Sequence, residues 1–170
     1  MELKPEQALL LLHSALPTLE REQQTTFRLI ETVPADKADY KPDPNAMSAF
    51  DLCWHIASAE NLFLKSVAAG AFDFTPTEKP KSMADIISFY KDTFATNLSA
   101  LKAMTGEQAA KIVDFRGMMQ MPAVSFLTFS MHHVIHHRGQ LSVYLRPMGA
   151  KVPAIYGESY DSKIAKAAKG

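Results

Sequence analysis

Histidine is the residue type whose placement in this chain could do chemistry. Five of the six histidines lie at His55 or within the run Met131-His132-His133-Val134-Ile135-His136-His137-Arg138-Gly139-Gln140. That run contains two pairs at i, i+4 spacing, and either pair sets two imidazoles about one helical turn apart, able to share a metal ion. Turning the segment at roughly 100° per residue separates the two faces. The face of His133 and His137 also carries Ala123, Phe126, Val134, Leu141 and Tyr144. The face of His132 and His136 carries Ser125, Gly139 and Ser142, with Arg146 at its margin. The first is the apolar face, so His133 and His137 are expected to look inward.

His55 shares its face with Leu52, Ala59, Leu62 and Phe63, again a core face, with Asp51 one turn back. Three imidazoles converging from two core faces leave a fourth coordination position for water or substrate, the layout of a catalytic rather than a structural metal site. Neutral imidazole suits Zn, Ni, Fe or Cu. Spacing alone leaves a second account open, in which these are core histidines satisfied by hydrogen bonds. Unpaired buried imidazoles carry a desolvation cost that ligation or hydrogen bonding must offset.

The elements that must hold these residues read as helices. Leu9, Leu12, Leu16, Leu19, Phe27 and Ile30 keep helical spacing from Pro5 to Val33, with a kink or a break into two helices expected at Pro17. Residues 33–47, with Pro34, Pro42 and Pro44, are an expected irregular connection. Ser48 with Asp51 opens the second helix and Gly70 closes it. Ser82 with Asp85 opens a third that runs to about Met104, and Thr105 with Gln108 marks one short helical turn. Residues 111–121 lack a helical period and should be extended. Pro122 suits the first turn of a last long helix that reaches Leu145 and ends at Pro147 and Gly149. The tail is expected to pack back irregularly, with 163–170 a solvated end. The fold class this predicts is all-α, an antiparallel four-helix bundle with long connections and a short extended segment, forming one domain over residues 1–170.

Composition excludes several function classes. Hydrophobic residues make up 47% and charged residues 21%, the balance of a soluble globular protein. Lys+Arg and Asp+Glu are both 18, so no net field draws the chain to nucleic acid or to an anionic membrane. No apolar run is long enough to cross a bilayer, and no signal peptide is read at the start. One cysteine, Cys53, makes no internal disulfide, which fits a cytoplasmic location. It projects away from His55 and reads as a buried structural thiol.

Other residues near the histidines have assignable roles. Asp51 could orient the His55 imidazole, or could simply be a first-turn carboxylate favoured by the helix dipole. Gln140 could support His137 from outside the ligand set. Arg138 could hold an anionic substrate or pair with a neighbouring helix. Tyr144 reads as core, and Tyr156 is a candidate lid. Glu60, five residues from His55, points away from the ligand face and is expected at the surface. Phe50, Cys53, Trp54 and Leu64 make the second helix apolar nearly all round, which points to a subunit interface and a homodimer.

The run His133-x-x-x-His137-Arg138-Gly139-Gln140, with His55 upstream, resembles the DinB/YfiT-like family, the DinB superfamily of metal-dependent four-helix-bundle proteins. The resemblance extends over most of the chain, through the Pro-rich link, Met47-Ser48, and the closing segment from Val152 to Ser159. It implies an antiparallel, often dimeric bundle with His55, His133 and His137 as the metal ligands. It also implies an activity class, since members include thiol-dependent S-transferases and a mycothiol-dependent maleylpyruvate isomerase. The function expected is a divalent-metal-dependent thiol S-transferase, or as the lesser alternative a hydrolase, acting on a small electrophilic substrate. Zinc or nickel is the leading ion, iron a further one, and a low-molecular-weight thiol the co-substrate. The alternatives are a non-enzymatic metal- or ligand-binding dimeric bundle with a stress-related or sensing role, and a metal-free bundle with a relic pocket.

Overall fold

The computed structural model describes residues 2–168. Four long helices form an antiparallel bundle: α1 (Pro5–Glu31), α2 (Ala49–Ala69), α3 (Met83–Lys102) and α5 (Ser125–Leu145). Between α3 and α5 lie a short helix, α4 (Gly106–Ala110), and two strands, β1 (Ile112–Phe115) and β2 (Met119–Pro122). A final helix, α6 (Tyr160–Ala167), closes the chain.

The start signals do what their chemistry predicts. Ser48 accepts a hydrogen bond from the Asp51 amide at 3.0 Å, Ser82 accepts from Asp85, and Thr105 with Gln108 forms a reciprocal capping box. Gly70 ends α2 in the left-handed region, φ 67°, where its amide bonds the last carbonyls.

Three expectations are corrected, and one is made more specific. α1 is one helix through Pro17, because tertiary packing of Leu12, Leu16 and Leu19 offsets the single backbone bond that proline removes. The segment expected to be extended is so, and takes the form of a two-stranded antiparallel hairpin with Ile112 opposite Pro122 and Phe115 opposite Met119. Pro122 therefore ends β2 and does not begin α5, since its missing amide is tolerated at a strand end. The tail forms α6, N-capped by Ser159 and tied to the bundle through Arg146 and Asp161; of its expected solvated end, 163–168 are exposed and residues 169–170 lie outside the described ones.

The core has two clusters. One gathers Leu29 and Ile30 of α1, Leu52 and Ile56 of α2, Ile86 and Tyr90 of α3, and Val134 and Leu141 of α5. The other gathers Leu12, Leu19, Phe63, Phe94 and Phe126 with Val113 of the hairpin. Helix α2 is packed against both α3 and α5. Its two apolar sides are thus covered within one copy of the chain, so this burial does not itself call for a second copy. Among the described residues, no helix is long and apolar enough to cross a membrane.

Candidate metal centre

Helix α2 and helix α5 lie side by side, and that contact brings the two parts of the histidine constellation together. His55 Nε2 stands 3.0 Å from His133 Nε2 and 3.1 Å from His137 Nε2. Nitrogen donors around one tetrahedral zinc stand about 3.3 Å apart, given zinc–nitrogen bonds of about 2.0–2.1 Å. The three rings are half-buried and meet edge to face, with centroids 4.5–4.9 Å apart. His132 and His136 are exposed on the opposite side of α5, as the helix geometry predicts.

The donor set fits a cation. His137 Nδ1 lies 3.0 Å from Gln140 Oε1, so the amide oxygen accepts its proton and leaves the Nε2 lone pair facing the other two rings. Nε2 lone pairs converging at this distance repel unless a metal ion or a shared proton lies between them. Burial lowers the pKa of His55, with the charge of His137 adding to it, and burial lowers His133 to about 4, helped by its histidine neighbours. Both are therefore neutral near pH 7, the form that ligates. His133 Nδ1 is buried without a hydrogen-bond partner among the described residues. The three-histidine group could hold a metal ion.

Asp51 does not support His55. Its carboxylate takes a hydrogen bond from Ser48 Oγ at 2.8 Å and pairs with Lys79, which lowers its pKa, Lys79 first. It is the first-turn carboxylate of α2. Cys53 is buried, and burial pushes its thiol up to about 12, so it is inert as a nucleophile. Tyr144 is core, its hydroxyl 3.4 Å from Gln140 Nε2.

Arg138, beside His137 in sequence, turns away into the bundle and is 1% exposed. It pairs with Glu22 of α1 at 2.7 Å and donates to Thr26 Oγ1, to the Glu22 carbonyl and to the Tyr156 hydroxyl. Tyr156 in turn donates to Glu22 at 2.9 Å. Arg138 thus fastens α1 and the C-terminal segment to α5, and Tyr156 is a clasp on that pair rather than a lid over the histidines.

Glu60 is buried, not at the surface. It does leave the His55 face, but the other side of α2 is covered by α3, so turning away from the ligands leads into the protein. Burial pushes its carboxyl up to about 7, with the Tyr90 hydroxyl and the Arg138 guanidinium pulling the other way. One oxygen, Oε2, has no hydrogen-bond partner within the described protein. A carboxyl whose folded pKa lies above its unfolded value is destabilising once ionised. The cost is absent below about pH 4.5, grows up to about pH 7, and is full above that. Glu60→Gln should therefore melt close to the wild type at pH 5 and above it at pH 8, by an amount on the order of 3 kcal/mol. A melting-temperature difference that does not change with pH would contradict the assignment.

The clefts divide clearly. One, of 370 Å³ between α1 and α3, is lined by Gln23, Gln24, Phe27, Arg28 and Lys91 and contains none of the histidines. An open cleft of 310 Å³ borders His55 and includes Trp54, Ser58, Leu62, Phe74 and Arg116 among its walls. Arg116, in the turn between β1 and β2, is the residue of this region that spacing arguments pass over. The Arg116-Gly117 step, a turn signal inside an extended segment, is the trace it leaves in the sequence.

The DinB family matches residues 9–166, nearly the whole chain. The chain belongs to the DinB family. It is 28% identical over 129 residues to the uncharacterized protein YjoA of Bacillus subtilis, covering 75% of this chain and 84% of that one. The crystal structure of YjoA, described as DinB-like, superposes with a TM-score of 0.71 at 26% identity, covering 85% of this chain and 99% of YjoA. A DinB-like protein from Bacillus cereus gives 0.74 at 26% identity over 85% of this chain and 97% of its own. The mycothiol-dependent maleylpyruvate isomerase shares the fold, with a TM-score of 0.63 at 12% identity over 76% of this chain and 60% of the isomerase.

Proposed function

We propose that this DinB-family chain is a metal-dependent thiol S-transferase acting on a small electrophile, with His55, His133 and His137 as the ligands. The observation that carries the reading is the convergence of the three Nε2 atoms at 3.0–3.1 Å. Zinc or nickel is the proposed ion, a low-molecular-weight thiol the proposed co-substrate, and a cytoplasmic homodimer the proposed setting. A divalent ion held there would supply the charge that acidifies a thiol or water at neutral pH.

The chain's own residues account for the rest. Gln140 fixes the orientation of His137, and the adjacent open cleft gives a small molecule access to the flank of His55. Cys53, the single cysteine, is buried and held protonated, so it does not serve as the nucleophile. An external thiol fills that role. The fold shared with an isomerase named for its dependence on mycothiol supports the same choice.

The test is thiol consumption. Full-length protein loaded with zinc or nickel is incubated with glutathione-like thiols and a panel of small electrophiles, beside the metal-stripped protein. Loss of free thiol that requires protein, metal and electrophile together is the expected result. A metal-loaded protein inert to every thiol would remove the transferase and leave the non-enzymatic binding role.

A further inference from the structure

Arg116 has a position that the reading above leaves unused. It sits in the turn Phe115–Met118, which is closed by a hydrogen bond from the Met118 amide to the Phe115 carbonyl at 3.0 Å. Both central residues have positive φ, 56° at Arg116 and 70° at Gly117. Arg116 is the one non-glycine residue in the left-handed region among the described residues, a conformation that glycine or asparagine adopts at lower cost. The turn therefore does not explain why an arginine stands there. The guanidinium lies over the Phe74 ring at 4.2 Å from its centroid, and both residues line the cleft that borders His55.

The cleft's charge is one-sided. Its walls join the apolar surfaces of Trp54, Ala59, Leu62, Phe74 and Pro76 with the hydroxyls of Ser58, Thr75 and Thr77 and with Arg116, but no carboxylate. Among the described residues, Arg116 makes no ion pair with an acidic side chain. Lys79 and Arg138 are engaged elsewhere: Lys79 pairs with Asp51, and Arg138 is buried against Glu22. A planar guanidinium, stacked on an aromatic ring at the edge of a cleft with an aromatic and aliphatic wall, has the geometry for a bidentate carboxylate. The volume, 310 Å³, is at the small end of ligand pockets, which run from about 300 to 1,000 Å³.

We propose that Arg116 is the carboxylate anchor of this cleft, and that the molecule bound beside His55 is a small organic acid with an apolar body. The proposal rests on the reading above only in calling that molecule the substrate.

Trp54 is the single tryptophan and lines the cleft, so its fluorescence reports occupancy directly. Full-length protein is titrated with phenylacetate and with its neutral isostere phenylacetamide, both metal-stripped and zinc-loaded. Wild type should bind the acid saturably and about tenfold more tightly than the amide, the size expected of one charge-assisted contact. Arg116→Asn, chosen because asparagine tolerates this backbone conformation, should lose the discrimination and keep its circular dichroism. Arg116→Lys should keep part of it. The proposal is overturned if acid and amide bind alike, if the acid does not saturate, or if Arg116→Asn discriminates as well as wild type. A chain that discriminates but takes up no zinc loses the metal reading and keeps this one. A chain that takes up zinc without discriminating does the reverse.

Discussion

Replacing His137 by alanine should abolish stoichiometric zinc or nickel binding, whereas replacing His132 should leave it intact. The two residues are five positions apart on one helix, yet only His137 reaches His55 and is held by Gln140. Removing it takes away one of the three proposed ligands and the ring whose orientation is best fixed. Removing the exposed His132 takes away a solvated side chain. Metal content after gel filtration of untagged protein measures the first effect. The thermal shift measures the second: an ion at a hundred times its dissociation constant stabilises the wild type by about 2.7 kcal/mol. For a chain of this length that raises the melting temperature by roughly 5–11 °C. Neither metal content nor shift should survive in His137→Ala. Equal metal loading of His132→Ala and His137→Ala would refute the ligand set.

The second large effect lies away from the histidines. Glu22→Gln should destabilise the protein by about 3–5 kcal/mol, because it leaves the Arg138 guanidinium buried without its counter-charge. Arg138 has neutral acceptors in Thr26, Tyr156 and the Glu22 carbonyl, but these orient the charge without balancing it. The control is on the same helix. Glu20 pairs with Lys102 at 2.7 Å, but both side chains are substantially exposed, so Glu20→Gln should cost no more than about 1 kcal/mol. Combining Glu22→Gln with Arg138→Met should recover much of the loss, since removing both charges removes the desolvated cation. Urea unfolding of the four proteins checks this. Similar costs for Glu20→Gln and Glu22→Gln would show that Arg138 is compensated elsewhere.

These two expectations differ in how far the sequence leads to them. The histidine pair was legible because helical periodicity is local: turning α5 by its own period separates His133 and His137 from His132 and His136. The helix starts at Ser48, Ser82 and Thr105 were legible for the same reason, since each cap is a bond across three residues. Arg138 and Glu22 are 116 residues apart, and nothing in the spacing of either announces the other. Glu60 was misplaced by treating the side of α2 opposite His55 as solvent, although the apolar residues there already showed it to be covered. Pro17 and Pro122 were read by their local rule alone, which packing overrode in one case and strand pairing in the other. Arg116 was missed because a charged residue in a turn carries no period at all. Its neighbours in the cleft come from α2 and the loop after it.

The separation of the histidines also bears on the order in which the molecule assembles. His55 and His133 are 78 residues apart, whereas α2 and α3 are neighbours joined by one loop. The α2–α3 hairpin closes a short loop and forms against a small entropic cost, but the ligand set exists only after α5 has docked on α2. An ion that recognises three nitrogens can act only on that docked state. An ion bound there would therefore hold the native protein together by slowing the departure of α5, and would give no help to the collapse that brings α5 in.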